Sequence, residues 1–170
     1  MEVVDEFAHG LGWVEDELMQ RCSHALFADG RTWLIDPLDA PVVDELASVA
    51  GVIQLLDRHE RDCAAIAARL GVPHHAIPQQ PIEQFEFVPI RMKRRWREVA
   101  LWWPAEHVLV CADALGTARY FRLFGGRLGL HPFLRLRRPK QLAALTPQVI
   151  LCGHGRGVLN DAAAALAAAL

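Results

Sequence analysis

The segment "LLDRHERDC", residues 55–63, concentrates side chains that could do chemistry directly after the apolar run "GVIQLL". Asp57, His59 and Asp62 are of types that ligate metal ions, whereas the guanidinium of Arg61 stays protonated and cannot ligate a cation. Three interpretations fit these residues: a metal site, a damaged metal site, or a charged turn before a helix. In the third, Asp57 is the N-cap of a helix that begins about three residues later.

Three other apolar runs also lead straight into aspartate or histidine. Asp36 ends "TWLID", Asp113 ends "VLVCAD", and His154 follows "VILCG". Each aspartate could instead cap a helix or form a turn. Polar residues at several strand ends together predict a shared rim, because α/β folds bind ligands beyond the ends of their strands. The glycines on both sides of His154 leave its ring room to line a cleft.

The elements that position these residues alternate between strands and helices. The sequence "CSHALFADGRTWLIDPL" predicts a hairpin at Asp29-Gly30, and "REVALWWPAEHVLVCADAL" predicts a second hairpin-like pair. Helices are predicted in "DAPVVDELASVA" with Asp39 as its N-cap, in "ERDCAAIAARLG" closed by Gly71, in "PKQLAALT" and in "LNDAAAALAAAL". Single strands are predicted in "GVIQLLD", "VPHHAI", "IEQFEFVPI" and "PQVILCGHG". This order predicts an α/β fold with mixed sheets.

Length and composition predict one folded domain over residues 1–170. Hydrophobic residues make up 52% of the chain and charged residues 22%, as in globular proteins. The net charge of −2 gives the chain no overall electrostatic attraction to nucleic acid or to a membrane surface. The scattered cysteines Cys22, Cys63, Cys111 and Cys152 favour reduced, structural thiols. With no signal peptide or membrane span recognised, the expectation is a cytoplasmic protein.

Four segments together resemble the metallo-β-lactamase-fold hydrolases along nearly the whole chain. "HALFADGRTWLIDPL" is similar to the opening hairpin with its structural aspartate, here Asp36. "GVIQLLDRHERDCAAIAARLGVP" is similar to the strand, metal-motif loop and helix that follow. "REVALWWPAEHVLVCADAL" resembles the hairpin that carries the bridging aspartate, here Asp113. "PQVILCGHGRGV" resembles the strand that delivers the last metal-binding histidine, here His154. The resemblance implies a trimmed αββα sandwich of two mixed sheets flanked by helices.

The metal motif of the resemblance, His-x-His-x-Asp-His, is altered in this chain. An ungapped alignment on "DRHERD" puts Asp57 in place of the first histidine and keeps His59 as the second. Arg61 replaces the aspartate, and Asp62 replaces the last histidine. A further histidine of the family aligns with "KRRWRE", which places Arg94 there.

Two states of the site follow from the resemblance. In the first, Arg61 and Arg94 supply the positive charge that metal supplied, pairing with Asp57, Asp62 and Asp113, and no cofactor is bound. In the second, Asp62, Asp113 and His154, with or without His59, hold one divalent ion such as zinc, manganese or iron. The first state implies a non-catalytic or weakly active protein that binds an anionic small molecule or a partner. The second implies hydrolysis of an ester, thioester, lactone or phosphoester.

Basic and aromatic stretches bear on the partners. "RMKRRWR" and "FLRLRRPK" interleave cations with large side chains, a pattern that can bind nucleic acid. In a chain of negative net charge they are better interpreted as solvated edges, so a nucleic-acid partner is not expected. The aromatic residues Trp102, Trp103, Phe121, Phe124 and Phe133 fill the core or contribute to a homodimer face.

Overall fold

The turn at Asp29-Gly30 joins two central strands, β3 and β4, in the computed structural model, which describes residues 1–122 and 125–170. Both turn residues have positive φ, 50° and 73°, the conformation that lets a two-residue hairpin match the strand twist. This sheet has the order β1-β2-β3-β4-β5-β6, in which β5 and β6 run parallel to β4. Its strands are β1 (Glu2–Phe7), β2 (Gly10–Val14), β3 (Cys22–Ala28), β4 (Arg31–Ile35), β5 (Val49–Gln54) and β6 (His74–Ala76).

A four-stranded sheet with the order β12-β9-β8-β7 faces the first one. The pair β9/β12 is parallel, and the pairs β7/β8 and β8/β9 are antiparallel. A short pair, β10/β11, lies between β9 and β12 in the sequence. The strands are β7 (Glu86–Lys93), β8 (Trp96–Trp103), β9 (Val108–Cys111), β10 (Leu115–Gly116), β11 (Gly129–Leu130) and β12 (Val149–Cys152).

Helices cover the sandwich. The helices α1 (Pro41–Glu45) and α2 (Cys63–Leu70) bury Val43 and Ile66 against the outer face of the six-stranded sheet. The helix α3 (Ala162–Ala169) buries Leu166 against the large core shared by the two sheets. The predicted α/β arrangement of two mixed sheets flanked by helices is confirmed.

Local details differ from the predictions at four places. The helix after Asp39 has only five residues and begins beyond Ala40, because the Asp39 carboxylate instead pairs with Arg69 of α2 at 2.6 Å. The segment "PKQLAALT" forms a 3-10 helix, Lys140–Ala144. The N-terminal hairpin β1/β2 and the pair β10/β11 were not predicted, since their strands are short or weakly alternating.

The expected thiols and aromatic residues can be placed individually. All four cysteines are free and buried, and burial raises the pKa of Cys22 to about 12. Trp102, Trp103 and Phe121 are buried, whereas Phe133 is exposed and Phe124 lies outside the described residues. None of the described helices has the length and apolar character needed to cross a bilayer.

The buried ring of His24 on β3 makes stability depend on pH. Its Nε2–H donates to the carbonyl of Cys152 at 3.0 Å, its Nδ1 has no hydrogen-bond partner among the described residues, and burial lowers its pKa to about 4. Between pH 6.5 and pH 4 the unfolded chain binds a proton that the folded chain excludes, so stability falls as pH falls. We expect His24 to contribute a loss of about 2 kcal/mol between pH 7.5 and pH 5, at about 1.4 kcal/mol per pKa unit.

Urea unfolding at the two pH values, with chelator present, measures this loss. The variant His24→Gln retains an N–H donor but does not titrate, so its stability should fall less over the same interval. Equal pH dependence in both proteins would contradict the assignment to His24.

Candidate metal centre

Parallel pairing of β9 with β12 brings Asp113 and His154 to one edge of the sandwich. Cys111 lies opposite Cys152 in the register, and the two site residues follow two positions after each. His59 arrives from the other sheet, in the loop after β5. One ligand atom each from His59, Asp113 and His154 lies within 4.8 Å of the others, and all three residues are buried.

Asp36 fixes the ring of His59. It follows β4 with a positive φ of 44°, and its Oδ1 accepts the backbone N–H of Leu55 at 2.8 Å. Its Oδ2 lies 2.9 Å from His59 Nδ1. A carboxylate oxygen accepts here, so Nδ1 carries the proton, and in the neutral ring Nε2 carries the lone pair.

His154 is oriented in the same way by a backbone carbonyl. Its Nδ1 lies 2.9 Å from the oxygen of Met19, which can only accept, so the lone pair of the neutral ring again lies on Nε2. The ring of Phe121 stacks on His154 with centroids 5.6 Å apart. A histidine that donates Nδ1–H to an oxygen and presents Nε2 is the usual form of a metal ligand.

The two Nε2 atoms converge on one oxygen of Asp113. Each lies 3.1 Å from Asp113 Oδ1, yet this oxygen has no hydrogen bond of acceptable geometry among the described residues. Two nitrogen lone pairs facing an anionic oxygen repel one another unless a proton or a cation lies between them. The donor set therefore fits a divalent ion held by two imidazoles and one carboxylate.

Electrostatics stabilise the charged forms of two of these groups. Burial alone would raise the pKa of Asp113, but His154, His59 and Arg58 hold it well below its usual range. Burial and Arg61 act to lower the pKa of His59, and the neighbouring carboxylates Asp36 and Asp113 outweigh them and raise it. When no metal is bound, the two neighbouring carboxylates favour the protonated ring of His59.

Glu98 on β8 holds the loop that carries Asp113. Its Oε1 accepts the backbone N–H groups of Asp113 at 2.9 Å and Ala114 at 2.7 Å, and its Oε2 accepts the indole N–H of Trp96 at 2.7 Å. Burial raises the pKa of Glu98 to about 7. Glu98 is therefore a positioning residue for Asp113, and nothing in the spacing of the sequence indicated it.

Arg58 engages the second oxygen of Asp113. Its Nη2 lies 2.8 Å from Asp113 Oδ2, and its guanidinium carbon lies 4.7 Å from the centre of a Trp96 ring. The Arg58 side chain is 47% exposed, so it stands at the solvent side of the cluster. In the sequence, only its position next to His59 indicated that Arg58 could belong to the site.

Arg61 joins backbone carbonyls from separate segments. Its guanidinium donates to the carbonyls of Cys22, of Asp36 at 2.8 Å and of Gly153 at 3.1 Å. The predicted pairing of Arg61 with Asp57, Asp62 and Asp113 is wrong, because the guanidinium extends toward the strand ends, where those carbonyls accept its protons. Burial lowers the pKa of Arg61, which still leaves an arginine charged at neutral pH.

Three further residues of the predicted cleft point elsewhere. Asp57 Oδ2 accepts the backbone N–H of Arg97 at 3.0 Å, and Asp62 Oδ2 accepts that of Asp39 at 2.8 Å. Arg94 is exposed in the turn between β7 and β8, and no ion pair of the described residues joins it to the cluster. The ungapped alignment placed Arg94 in the cleft because a comparison of sequence positions does not show where a hairpin turn lies. The helix after the loop begins at Cys63, so Asp57 does not cap it.

His131, which the sequence did not single out, lies near the same edge. Its Nδ1 accepts the backbone N–H of Phe133 at 3.3 Å, so the neutral ring carries its proton on Nε2. Its ring packs against Trp96 and Phe121, with centroids 4.8 and 5.8 Å away. Burial lowers its pKa, which favours the neutral ring.

Comparisons with solved structures identify the fold. The chain is similar to the DIM-1 metallo-β-lactamase, with a TM-score of 0.70, 10% identity, and coverage of 99% of this chain and 95% of that one. It is also similar to the chemotaxis sensor ODP in a peroxy diiron species, with a TM-score of 0.61, 13% identity, and coverage of 98% of this chain and 92% of that one.

A third similar structure is TTHA1623 in a di-iron-bound form, with a TM-score of 0.59, 18% identity, and coverage of 84% of this chain and 91% of that one. Comparison with protein-family models gave no match, and neither did comparison with curated proteins. The structural likenesses show that the chain has the metallo-β-lactamase fold, as the sequence resemblance implied.

Replacement of Glu98 tests its positioning role. We expect Glu98→Gln to lower the free energy of unfolding by about 1–3 kcal/mol, because the amide cannot accept at both ends and leaves a buried donor unpaired. The matched variant Glu86→Gln makes the same change on an exposed strand position and should shift stability by less than about 0.5 kcal/mol. Urea unfolding of both variants measures the difference, and equal effects would contradict the role.

Proposed function

We propose that the protein binds one divalent metal ion through His59, Asp113 and His154 and hydrolyses an ester-type bond in an anionic substrate. The observation that carries this proposal is the convergence of the two Nε2 atoms, each 3.1 Å away, on Asp113 Oδ1, which has no hydrogen bond within residues 1–122 and 125–170. Esters, thioesters, lactones and phosphoesters are all within reach of this chemistry.

Three protein ligands leave a coordination position open, which is typical of catalytic sites. A divalent ion in such a site lowers the pKa of water to about 7 and so supplies a nucleophile at neutral pH. Asp36 and the carbonyl of Met19 keep the protons of His59 and His154 on Nδ1 and the lone pairs on Nε2. The di-iron centres of ODP and TTHA1623 support metal binding within this fold.

The charges around Asp113 favour one ion and not two. Arg58 already occupies Asp113 Oδ2, and the partly buried cation of Arg61 stands where the resemblance places an acidic ligand. A second divalent ion would meet both guanidinium charges in a poorly solvated volume.

Arg58 also provides a means of orienting the substrate. Its half-exposed guanidinium keeps donors available beyond the one used by Asp113, and such forks bind carboxylate or phosphate oxygens. The flat face of Trp96 beneath it limits its movement. An anionic group bound there would hold the scissile bond beside the cluster.

The burial of the cluster favours a second candidate function, a metal-free protein that binds an anion. In this form the imidazolium of His59 and the guanidinium of Arg58 neutralise Asp113, and ligand binding depends on Arg58 alone. Titration calorimetry with phosphate, sulfate and small carboxylates would detect it, and an absence of heat at about 1 mM ligand would count against affinity in that range.

Metal content distinguishes the two candidates. We expect about one ion per chain by plasma mass spectrometry, after purification without chelator or after incubation with zinc, manganese or ferrous ion, because the described part of the chain offers one set of three ligands. The double variant Asp113→Ala, His154→Ala should lose the ion. The control His74→Ala removes an exposed histidine and should retain it.

Circular dichroism establishes that the double variant remains folded. No metal under any of these conditions would refute the hydrolase and favour the anion-binding protein. Two ions per chain would contradict the proposal that Arg58 and Arg61 exclude a second divalent ion.

Replacement of Arg58 tests substrate orientation. With metal saturating, we expect Arg58→Gln to raise KM for the anionic diester bis(p-nitrophenyl) phosphate about tenfold, the loss of roughly one charged contact. KM for neutral p-nitrophenyl acetate should change little. Arg94→Gln removes an exposed charge outside the cluster and serves as the control. Equal changes for both substrates would show that Arg58 does not select the anion.

A further inference from the structure

Charge is divided unequally along the chain. Residues 1–90 contain 16 acidic and 5 basic residues, whereas residues 91–170 contain 4 acidic and 13 basic ones. Between Asp113 and Asp161 the sequence has eight basic residues and no acidic one. The six-stranded sheet belongs to the acidic half, and the four-stranded sheet belongs to the basic half except for the start of β7, so the small net charge of −2 conceals a strong internal asymmetry.

A polar cavity of about 330 Å³ lies within this basic half. Arg122, Arg127 and Arg156 line it together with Thr117 and Gln20. Arg156 has an exposed pair with Glu2 at 2.6 Å, and Arg127 lies 3.6 Å from Asp161, both of them weak solvated contacts. Three guanidinium groups around one cavity are suited to phosphate, whose oxygens accept from planar forks.

A second cavity of about 430 Å³ shares Arg122 with the first. Its lining is mostly apolar and includes Phe121, Leu128, Leu130 and Ala168, with Arg135 and Arg138 at hand for a further anionic group. Both arginines are partly occupied, since Arg135 donates to the carbonyl of Phe121 at 3.1 Å and Arg138 donates to the main-chain oxygen of Leu170. An apolar cavity beside an arginine-lined one matches a ligand with an apolar body and a phosphorylated end.

We infer that these two cavities form one binding site for an organic phosphate, such as a nucleoside diphosphate. The phosphates lie among Arg122, Arg127 and Arg156, and the apolar body lies over Phe121 and Leu128. The site is distinct from the metal ligands, and its occupation needs no metal. Phe121 also stacks on His154, so the bound ligand would contact a residue that packs against the metal centre.

Calorimetric titration with ADP in the presence of chelator tests this site independently of the proposed hydrolysis. We expect one ADP per chain with a dissociation constant below about 1 mM, and binding at least about tenfold weaker for adenosine and for pyrophosphate, which each fill one cavity only. Absence of heat with ADP at about 5 mM would overturn the inference.

Variants separate a built site from a diffuse positive field. We expect Arg122→Gln and Arg127→Gln each to weaken ADP binding about tenfold, the loss of one charged contact. Arg137→Gln removes an exposed charge from the same basic half but outside both cavities, and should leave the affinity within about twofold. An equal loss of ADP affinity in all three variants would overturn the proposed site and would indicate general electrostatic attraction instead.

The last part of the experiment measures the binding of a single-stranded oligonucleotide to the same proteins. The small-ligand site would be overturned if the oligonucleotide bound more tightly than ADP and if Arg137→Gln weakened oligonucleotide binding as much as Arg122→Gln and Arg127→Gln do. The basic half would then be identified as a nucleic-acid surface. All three substituted side chains are exposed, and urea unfolding confirms that the variants remain folded.

Discussion

The edge of the sandwich depends on one partly buried cation, the guanidinium of Arg61. Its protons are accepted by carbonyls at the start of β3, after β4 and after β12, so one side chain joins both sheets. Two of those carbonyls belong to Asp36, which orients His59, and to Gly153, which precedes His154. Removing this cation would leave several carbonyls without donors and Asp36 without a neighbouring positive charge, which is costlier than losing a surface ion pair.

Much of the fold could be predicted from the sequence because its signals are local. The Asp29-Gly30 turn, the apolar run of β5 and the end of α2 at Gly71 each depend on a few neighbouring residues. The convergence of His59, Asp113 and His154 could also be predicted, since each follows an apolar strand and strand ends share an edge. In the structure one ligand atom of each lies within 4.8 Å of the others, whereas Asp62, which the sequence also suggested as a ligand, accepts the backbone N–H of Asp39.

The remaining contacts of the site are non-local, and sequence spacing does not encode them. Glu98 reaches Asp113 through the packing of β8 against β9, and Arg58 reaches it across a separation of 55 positions. Arg94 was misplaced because an ungapped alignment has no means of recognising a hairpin turn. Arg61 was predicted to lie near the site, and its predicted partners were carboxylates. Its actual partners are backbone carbonyls, and these depend on which carbonyl groups the strand ends leave unpaired.

The parallel pairing of β9 with β12 has a consequence for how such a protein could diversify. The separation of Asp113 from His154 is set by hydrogen-bonded register and not by the chain that connects them. That connection, which carries β10, β11 and part of the lining of the arginine-lined cavities, could lengthen, shorten or change its charge without moving the strand ends. The cluster of potential metal ligands and the arginine-bearing connection could therefore change independently of each other.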